Sequence, residues 1–349
     1  RCRRALLTDQ TSAMASETRE TPATIARLLD TRLESMLALG RRLSKLAPPL
    51  VATCARGSSD HAASYLKYML EIETGTPVVS IGPSVASVYR APLQLSRAAL
   101  VTVSQSGKSP DLVALQASAK ASGALTIAMV NVVESPAARG ADIVVPLEAG
   151  PEKSVAATKS FIAAAVAGAA ITAGWTGDQE LVAALRNLPD ALAKALDADW
   201  SAAEEMLTAC DSLYVLGRGP AYAVAQEAAL KSKEVAAIHA EAFSSAEVMH
   251  GPLRLVQNGF PVLALLPEDA AADVGRAGLD RIAAAGGRVF SAATASAPGT
   301  NLPVASTGHA FLDGLSMIVS FYVLIERVCR RCGFDPDRPV NLCKVTETV

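Results

Sequence analysis

Two stretches of this chain contain the same alternation of short apolar runs and longer Ala-rich segments. This repeat restricts the possible folds more than any other feature of the sequence. Apolar runs that alternate with helix-length segments are typical of parallel α/β sheets. In the first stretch Gly57 precedes Gly107 by 50 residues, and in the second Gly219 precedes Pro267 by 48 residues. Since Gly219 follows Gly57 by 162 residues, the sequence predicts an α/β domain duplicated in tandem.

The repeat divides the chain into predicted segments. We expect a disordered leader (residues 1–20), a first domain (21–176), a helical connector (177–202), a second domain (203–335) and a C-terminal tail (336–349). The predicted strands cover residues 49–55, 77–81, 98–103, 124–130, 143–146, 213–216, 261–266 and 288–292. Predicted helices cover residues 21–46, 160–173, 221–237, 273–285 and 310–330, and two more begin after residues 60 and 109.

The composition excludes several classes of protein. Half of the 349 residues are hydrophobic (50%), which rules out disorder as a description of the whole chain. Nucleic acid is not an expected partner, because the net charge is −2 and only 4% of residues are aromatic. The longest apolar run, residues 161–175, is shorter than the ~20 residues that span a bilayer. We therefore expect no membrane partner either.

The six cysteines form no disulfide framework. Four of them lie singly, and only Cys329 and Cys332 form a close pair. A zinc ribbon would need a second pair or nearby histidines, and none follows in the sequence. We therefore expect no metal site and a cytoplasmic protein.

One Ser-rich loop is a candidate phosphate site. Residues 104–109 (SQSGKS) follow a predicted strand, and Pro110 opens a predicted helix. Hydroxyls and backbone N–H groups at a helix N-terminus suit a dianionic phosphate, although a Ser-rich capping turn is an equally good interpretation of the loop alone. A Walker A nucleotide loop is excluded, because that motif needs Gly where Thr102 stands.

The matching loop of the second stretch differs in charge. It reads Leu-Pro-Glu-Asp over residues 266–269, and its carboxylates would repel phosphate. This asymmetry favours the phosphate interpretation of residues 104–109. It also predicts a single composite site in which the two domains have different tasks.

Candidate acid and base residues lie in the second domain. Lys231 and Glu234 are three apart on a predicted helix and share a face, which is also the spacing of ordinary surface ion pairs. The predicted loop that follows carries Glu241, Glu247 and His250, the last beside a Gly-Pro turn. Spacing alone does not establish whether Glu234 and His250 meet.

Five ordered motifs resemble a known family. The chain resembles the tandem sugar-isomerase (SIS) module of glutamine–fructose-6-phosphate aminotransferase and its stand-alone relatives, among them type II glucosamine-6-phosphate deaminases. The resemblance implies two tandem SIS domains, each a parallel-sheet three-layer α/β sandwich of the flavodoxin-like type, plus a C-terminal tail. The motifs are RGSSDHAA, SQSGKSPD, AGPEKSVAATKSF, LGRGPAYAVAQEAALKSKEVAAIHAEAFSSAEVMHGPL and DRPVNLCKVTETV.

The resemblance also implies a substrate site for a sugar phosphate. In the family, the Ser-rich loop binds the phosphate, two serines after the first strand line the same pocket, and a later segment adds backbone groups. Position 157 is Ala where the synthases have Ser, so one polar contact to the sugar is missing. The implied substrate-binding residues are Ser58, Ser59, Ser104, Gln105, Ser106, Ser109, Val155 and Ala156.

Four residues match the family's catalytic positions. By resemblance, Glu234 moves a proton between C1 and C2 of the sugar, and Lys231 flanks it. His250 would open the sugar ring from the neighbouring subunit, which implies a homodimer. Lys344 would form a Schiff base with the open-chain sugar. These acid–base steps require no metal and no redox cofactor.

The implied function is that of an enzyme acting on amino sugar phosphates. The aminotransferase carries an N-terminal glutaminase domain with a nucleophilic Cys, and this sequence does not contain one. We therefore expect a glucosamine-6-phosphate deaminase (isomerising), which makes fructose 6-phosphate and ammonia. The alternatives are a fructosamine-phosphate deglycase, an ammonia-dependent synthase-like enzyme and a non-catalytic sugar-phosphate sensor.

Overall fold

The computed structural model describes residues 11–344, which form two parallel five-stranded sheets. The first sheet has the strand order β2-β1-β3-β4-β5, and the second has the order β7-β6-β8-β9-β10. The strands are β1 (Val51–Cys54), β2 (Val78–Ser80), β3 (Ala99–Ser104), β4 (Leu125–Val130), β5 (Ile143–Pro146), β6 (Ser212–Gly217), β7 (His239–Ser244), β8 (Pro261–Leu266), β9 (Arg288–Ala293) and β10 (Thr300–Leu302).

Helices connect all consecutive strands of the first sheet, and in the second sheet they join β6 to β7 and β8 to β9. They are α1 (Ala13–Arg19), α2 (Thr21–Leu46), α3 (Ser58–Thr74), α4 (Ser84–Ser87), α5 (Pro110–Ala121), α6 (Pro136–Gly140), α7 (Lys159–Thr176), α8 (Gln179–Leu196), α9 (Ser201–Ala209), α10 (Pro220–Ala236), α11 (Ala272–Ala284) and α12 (Ala310–Arg331). Two 3₁₀ turns, Glu247–His250 and Pro252–Leu255, lie between β7 and β8.

The predicted duplication is confirmed by both topology and local backbone geometry. The two sheets share one strand order, which is that of flavodoxin-like folds. Gly57 precedes α3 with φ/ψ of 55°/−134°, and Gly219 precedes α10 with 57°/−136°. Both values lie in a region that L side chains rarely adopt, so each strand-to-helix turn requires glycine.

The described chain forms two compact units, each built around one sheet. The first sheet unit comprises Ala23–Glu152 and Lys159–Arg186. In this unit α3 packs against α7, while α5 packs between α4 and α6, so helices form a layer on each face of the sheet. α7 is buried along nearly its whole length, as expected of the longest apolar run. Among residues 11–344, no helix has the length and apolar character needed to cross a membrane.

The second sheet unit comprises residues 11–22, Lys153–Thr158 and Asn187–Lys344. Here α10 packs against α12, and α11 covers β8 and β9. One core cluster of this unit fills the space between the sheet and α11 with Tyr214, Val262, Leu279 and Ile282 among its members.

The structure differs from the predicted segments at two places. The predicted disorder of residues 1–20 is wrong for residues 13–19, which form α1 with Met14 and Thr18 buried. The first ten residues of that leader and the last five of the predicted tail lie outside the described residues. The predicted connector, residues 177–202, is not a separate segment, because the boundary between the two units falls inside α8, after Arg186.

Two strands of the structure are not among the predicted ones. The sequence of β7, HAEAFS, places polar residues among small ones and so predicts a loop. Among residues 11–344 this strand pairs only with β6, and it is partly exposed, so it needs little apolar character. β10 has three residues, which is too short for a periodic signal. The eight predicted strands are all present, with bounds that differ by at most two residues.

Candidate active site

The Ser-rich loop joins β3 to α5 in the first sheet unit. Ser104 ends β3, and its buried Oγ accepts a hydrogen bond of 3.0 Å from the N–H of Gly107. The Ser106 Oγ accepts one of 3.4 Å from the N–H of Lys108. Gly107 has φ +61°, and a Cβ there would lie 2.1 Å from Oγ of Ser135. The loop therefore holds a tight conformation that requires glycine at its centre.

The start of α5 resembles an anion site more than a capping turn. Ser109 occupies the N-cap position, but its side chain makes no capping hydrogen bond. Pro110 takes the first helical position, where a missing N–H costs nothing. Gln105, Ser106 and Ser109 are half-buried. A helix N-terminus with hydroxyls beside it suits a phosphate group.

The two predicted serines after β1 belong to the same edge of the first sheet. β1 and β3 are parallel neighbours, with Cys54 paired to Thr102. Their carboxyl ends therefore lie side by side, which is where ligands bind in open α/β sheets. Ser58 and Ser59 begin α3 directly after β1 and are half-buried. The structure thus brings these serines to the edge that carries residues 104–109.

An ion pair fixes the first turn of α5. Asp111 is fully buried, and its Oδ2 accepts hydrogen bonds from Nε (3.1 Å) and Nη2 (2.8 Å) of Arg56. Its Oδ1 accepts the N–H of Leu112 at 2.8 Å. Because Arg56 follows β1 and Asp111 follows the Ser-rich loop, this pair joins the two segments that carry the predicted serines.

The matching loop of the second sheet unit is acidic, as the sequence indicates. Glu268 forms an ion pair with Arg276 at 2.7 Å. Burial raises the pKa of the Asp269 carboxyl, and the neighbouring Glu268 charge raises it further. Carboxylates at this edge disfavour a phosphate, so the two sheets differ in the chemistry of equivalent loops.

A buried charge cluster lies on α10 of the second sheet unit. Lys231 is inaccessible to solvent, and its Nζ forms an ion pair with Oε2 of Glu234. The same Nζ lies 3.4 Å from Oε1 of Glu227, which is also fully buried. The hydroxyl of Tyr322, on α12, donates a hydrogen bond of 3.1 Å to Glu227. Of the two carboxylates, only Glu234 retains exposed surface, 23% of its side chain.

The cluster keeps Lys231 charged. Burial by itself lowers the pKa of a lysine, but the carboxylates of Glu227 and Glu234 outweigh it and raise the pKa of Lys231. A permanently protonated ammonium acts as a fixed positive charge and hydrogen-bond donor rather than as a base or nucleophile. The surface ion-pair interpretation of Lys231 and Glu234 is therefore wrong, because the lysine is buried.

Sequence reasoning missed Glu227 and Tyr322. The signal for Glu227 was present, since Glu227, Lys231 and Glu234 are spaced i, i+4 and i+7 and so share one helical face. Tyr322 is 95 residues from Glu227 and belongs to another helix, so spacing could not reveal it.

The remaining predicted catalytic residues are also in the second sheet unit. His250 ends the first 3₁₀ turn and is exposed. The next residues are anchored by the Tyr214 hydroxyl, which donates a hydrogen bond of 3.0 Å to the carbonyl of Pro252. Within residues 11–344, no hydrogen bond or ion pair joins His250 to Glu234. Lys344 is half-buried and is the last residue that the structure describes.

Val155 and Ala156 lie in the segment Lys153–Thr158, which links β5 to α7. Ala156 is buried, and Val155 and Ala157 are half-buried. The two flanks of the segment are held together by Glu152, whose carboxylate accepts hydrogen bonds from the N–H (3.1 Å) and hydroxyl (2.6 Å) of Ser160.

The remaining reactive groups are the cysteines and the side chains that can bind a metal. In the part of the chain that the structure describes, no group of three or more His, Cys, Asp or Glu side chains is arranged to hold a metal. The described cysteines are all free thiols. Burial raises the pKa of both Cys54 and Cys329, which makes these thiols poor nucleophiles.

The sequence of this chain is similar to those of known proteins. The SIS domain family matches residues 51–173 and 206–291. A glutamine–fructose-6-phosphate aminotransferase (isomerizing) of Symbiobacterium thermophilum is 34% identical over 313 residues, which cover 84% of this chain and 51% of the relative. The chain thus spans about half the length of the curated relatives it matches.

Two solved structures are similar over most of the chain. A protein of Silicibacter pomeroyi, provisionally named a phosphosugar isomerase, has 46% identity and a TM-score of 0.89, covering 94% of this chain and 100% of its own. The C-terminal domain of glucosamine-fructose-6-phosphate aminotransferase from Francisella tularensis has 26% identity and a TM-score of 0.83, covering 96% and 100%. The family match, the relatives and the duplicated fold agree: this chain belongs to the SIS domain family.

Proposed function

We propose that this protein is a glucosamine-6-phosphate deaminase (isomerising), which converts glucosamine 6-phosphate and water to fructose 6-phosphate and ammonia. One observation carries the proposal. The buried Lys231 lies between two carboxylates, and only one of them, Glu234, is accessible. An accessible carboxylate fixed by a buried cation is suited to abstracting and returning a proton at carbon.

The Ser-rich loop supplies the phosphate site in this proposal. Ser104 and Gly107 set its backbone, and Gln105, Ser106 and Ser109 offer polar groups at the start of α5. Ser58 and Ser59 lie at the same sheet edge. Several relatives are named for enzymes of sugar phosphates, which supports this class of substrate.

The proposed chemistry begins with ring opening. His250 donates a proton to the ring oxygen of glucosamine 6-phosphate as the bond from C1 to that oxygen breaks, while the proton of the C1 hydroxyl leaves. Glu234 then removes the proton from C2 of the open-chain aldehyde while O1 takes up a proton, which gives an enolamine. It delivers its proton to C1 as the nitrogen loses one. The product is an imine at C2, and water adds to this carbon as ammonia leaves. Lys231 remains protonated and holds Glu234 in position throughout.

Lys344 has a separate proposed role. Its amine, when neutral, condenses with the C2 carbonyl of open-chain fructose 6-phosphate to a Schiff base, and one water leaves. We also propose a cytoplasmic homodimer in which the exposed His250 completes the site of the neighbouring subunit. The free thiols of the described chain are compatible with a reducing compartment.

One position supports a second candidate function. Ala157 offers no hydroxyl in the segment that carries Val155 and Ala156, so a substituent larger than an amino group could be accommodated beside it. A fructosamine phosphate has such a substituent, and its removal uses the same acid–base groups. The reverse reaction, ammonia-dependent synthesis of the amino sugar phosphate, likewise needs no additional residue.

A coupled assay for ammonia release from glucosamine 6-phosphate tests the proposal. We expect turnover by the wild type and a loss of about 10²–10⁴-fold in kcat for Glu234→Gln, the effect of removing a general base. Glu205→Gln is the matched control, because Glu205 is exposed on α9, and it should retain full activity.

The same panel separates the alternatives. Absence of turnover by the wild type, or full activity of Glu234→Gln, contradicts the deaminase proposal. Turnover of a fructosamine phosphate instead of glucosamine 6-phosphate identifies the deglycase. Binding of sugar phosphates without exchange of the C2 proton for deuterium identifies a non-catalytic sensor.

A further inference from the structure

The short helix α1 makes two unusual contacts with segments that are distant in sequence. The carboxylate of Glu17, which is 5% exposed, accepts hydrogen bonds from the backbone N–H groups of Lys153 and Ser154, the latter at 3.2 Å. At the start of the helix, the carboxylate of Asp337 accepts the N–H groups of Ala13 (2.6 Å) and Met14 (2.9 Å). One helix therefore contacts both the Lys153–Thr158 segment and the C-terminal tail.

A helix of this length does not persist without such contacts. α1 has seven residues, and isolated helices shorter than ~12–15 residues are marginal in water. Its first N–H groups are satisfied by Asp337, and the hydroxyl of Ser12 both accepts the N–H of Ala15 (3.1 Å) and donates to Glu326 (2.7 Å). The caps therefore stabilise α1, and α1 in turn determines where Glu17 lies.

The contact at Glu17 acts on backbone rather than on side chains. Both carboxylate oxygens are used, one for each N–H. They fix the Glu152–Lys153 and Lys153–Ser154 peptide planes, which come just before Val155 and Ala156 in the chain. These hydrogen bonds to a buried charged acceptor are the stronger kind. The hydrogen bonds between Glu152 and Ser160 join the two flanks of the segment. Glu17 therefore orients the backbone of a short loop whose ends are already held together.

We infer that α1 is a brace between the Lys153–Thr158 segment and the C-terminal tail, with Glu17 a positioning residue for the substrate-binding backbone and Asp337 the residue that holds the helix in place. The part that concerns substrate rests on the proposed function, because Val155 and Ala156 bind sugar only if that proposal holds. The coupling between the tail, α1 and the segment does not depend on it. Lys344 lies seven residues beyond Asp337, so the brace links the segment to the tail that carries this lysine.

Hydrogen–deuterium exchange tests the brace without any ligand. In Glu17→Gln, the side-chain NH₂ faces one of the two N–H groups and cannot accept a hydrogen bond from it. The peptide covering residues 153–158 should therefore exchange about tenfold faster than in the wild type. Asp337→Asn removes the charged cap of α1 and should accelerate exchange in the same peptide, although no hydrogen bond or ion pair of the described residues joins Asp337 to it. Peptides from α5 should be unchanged in both variants.

Matched controls separate a brace from general loss of stability. Glu205→Gln and Asp190→Asn make the same chemical changes at exposed helix positions and should leave exchange of residues 153–158 at the wild-type rate. Unchanged exchange in Glu17→Gln overturns the contact as a restraint on the segment. Unchanged exchange in Asp337→Asn overturns the coupling through α1, and uniformly faster exchange across the chain identifies simple destabilisation, which also overturns it.

A second measurement tests the positioning role. Calorimetric titration with fructose 6-phosphate and glucosamine 6-phosphate should give about tenfold weaker binding in Glu17→Gln, with KM raised by a similar factor and kcat changed much less. Equal Kd and KM in variant and wild type overturn the positioning role. If the wild type neither binds nor converts these sugars, the proposed function and the substrate role fail together, while the exchange result still decides the brace.

Discussion

Nζ of Lys231 lies 3.4 Å from Oε1 of Glu227, and both side chains are withdrawn from solvent. Removing one member of a buried ion pair leaves the other charge uncompensated, at a cost of ~3–5 kcal/mol. We expect Lys231→Met to lower the free energy of unfolding by about that amount. Urea denaturation followed by circular dichroism measures it.

The double variant Glu227→Gln/Lys231→Met serves as the control for this prediction. It removes both buried charges, so it should recover most of the stability that the single variant loses. A double variant that is no more stable than Lys231→Met would show that the loss came from packing rather than from the missing positive charge beside Glu227.

Gly107 gives a prediction about the phosphate loop. Alanine at this position must adopt a positive φ and place its Cβ 2.1 Å from Oγ of Ser135, so the loop has to shift. We expect Gly107→Ala to weaken fructose 6-phosphate binding by about tenfold or more, because misplaced N–H groups no longer converge on the phosphate. Isothermal titration calorimetry measures the change.

A matched glycine isolates the clash from the backbone strain. Gly177 also has a positive φ, +79°, but a Cβ there has no neighbour within 4 Å. Gly177→Ala should therefore cost only the conformational penalty, about 1–2 kcal/mol in stability, and should leave binding unchanged. Equal binding by the two variants would mean that the loop geometry is not needed for phosphate.

Asp142 should make stability depend on acid pH. A side-chain hydrogen bond from Lys120, followed by the backbone N–H of Thr126, lowers the pKa of Asp142 from 3.8 to about 2. Because the folded-state pKa is the lower one, the ionised carboxylate stabilises the fold above pH 3.8. That contribution is lost as the pH falls from 3.8 to about 2.

Thermal unfolding across this acid range checks the prediction. The Tm of the wild type should fall more steeply than that of Asp142→Asn, whose side chain does not titrate. Parallel curves for the two proteins would indicate that other carboxylates account for the acid sensitivity.

The cysteines should differ in reactivity. Cys54 is fully buried, and burial raises the pKa of its thiol to about 12, whereas Cys343 is exposed. At about pH 8, iodoacetamide should therefore modify Cys343 in the folded protein and Cys54 only after unfolding, since the thiolate is the nucleophile. Peptide mass spectrometry locates the label, and rapid modification of native Cys54 would contradict the buried position of β1.

Features that depend on short-range patterns can be predicted from the order of the residues alone. Strands such as β3 and β8 are predicted because a short, continuous apolar run bounded by turn residues is typical of a buried strand. The 162-residue offset predicted the duplication, and the shared strand order confirms it. The contrast between the Ser-rich loop and its acidic counterpart was also readable, because residue type alone sets the charge of each loop.

Features that depend on contacts between distant residues follow only from the packing of the folded chain. The burial of Lys231 follows from the packing of α10 against α12, and only this packing brings Tyr322 to Glu227. The sequence does not predict the helix α1, because seven residues carry too weak a local preference for helix. The start of α1 is stabilised by hydrogen bonds to Asp337 and Glu326, which are more than 300 residues away. A helix or strand can be predicted from local periodicity when its own apolar residues account for its burial. An element that is stabilised by caps and buried charges from distant parts of the chain can be recognised only in the folded structure.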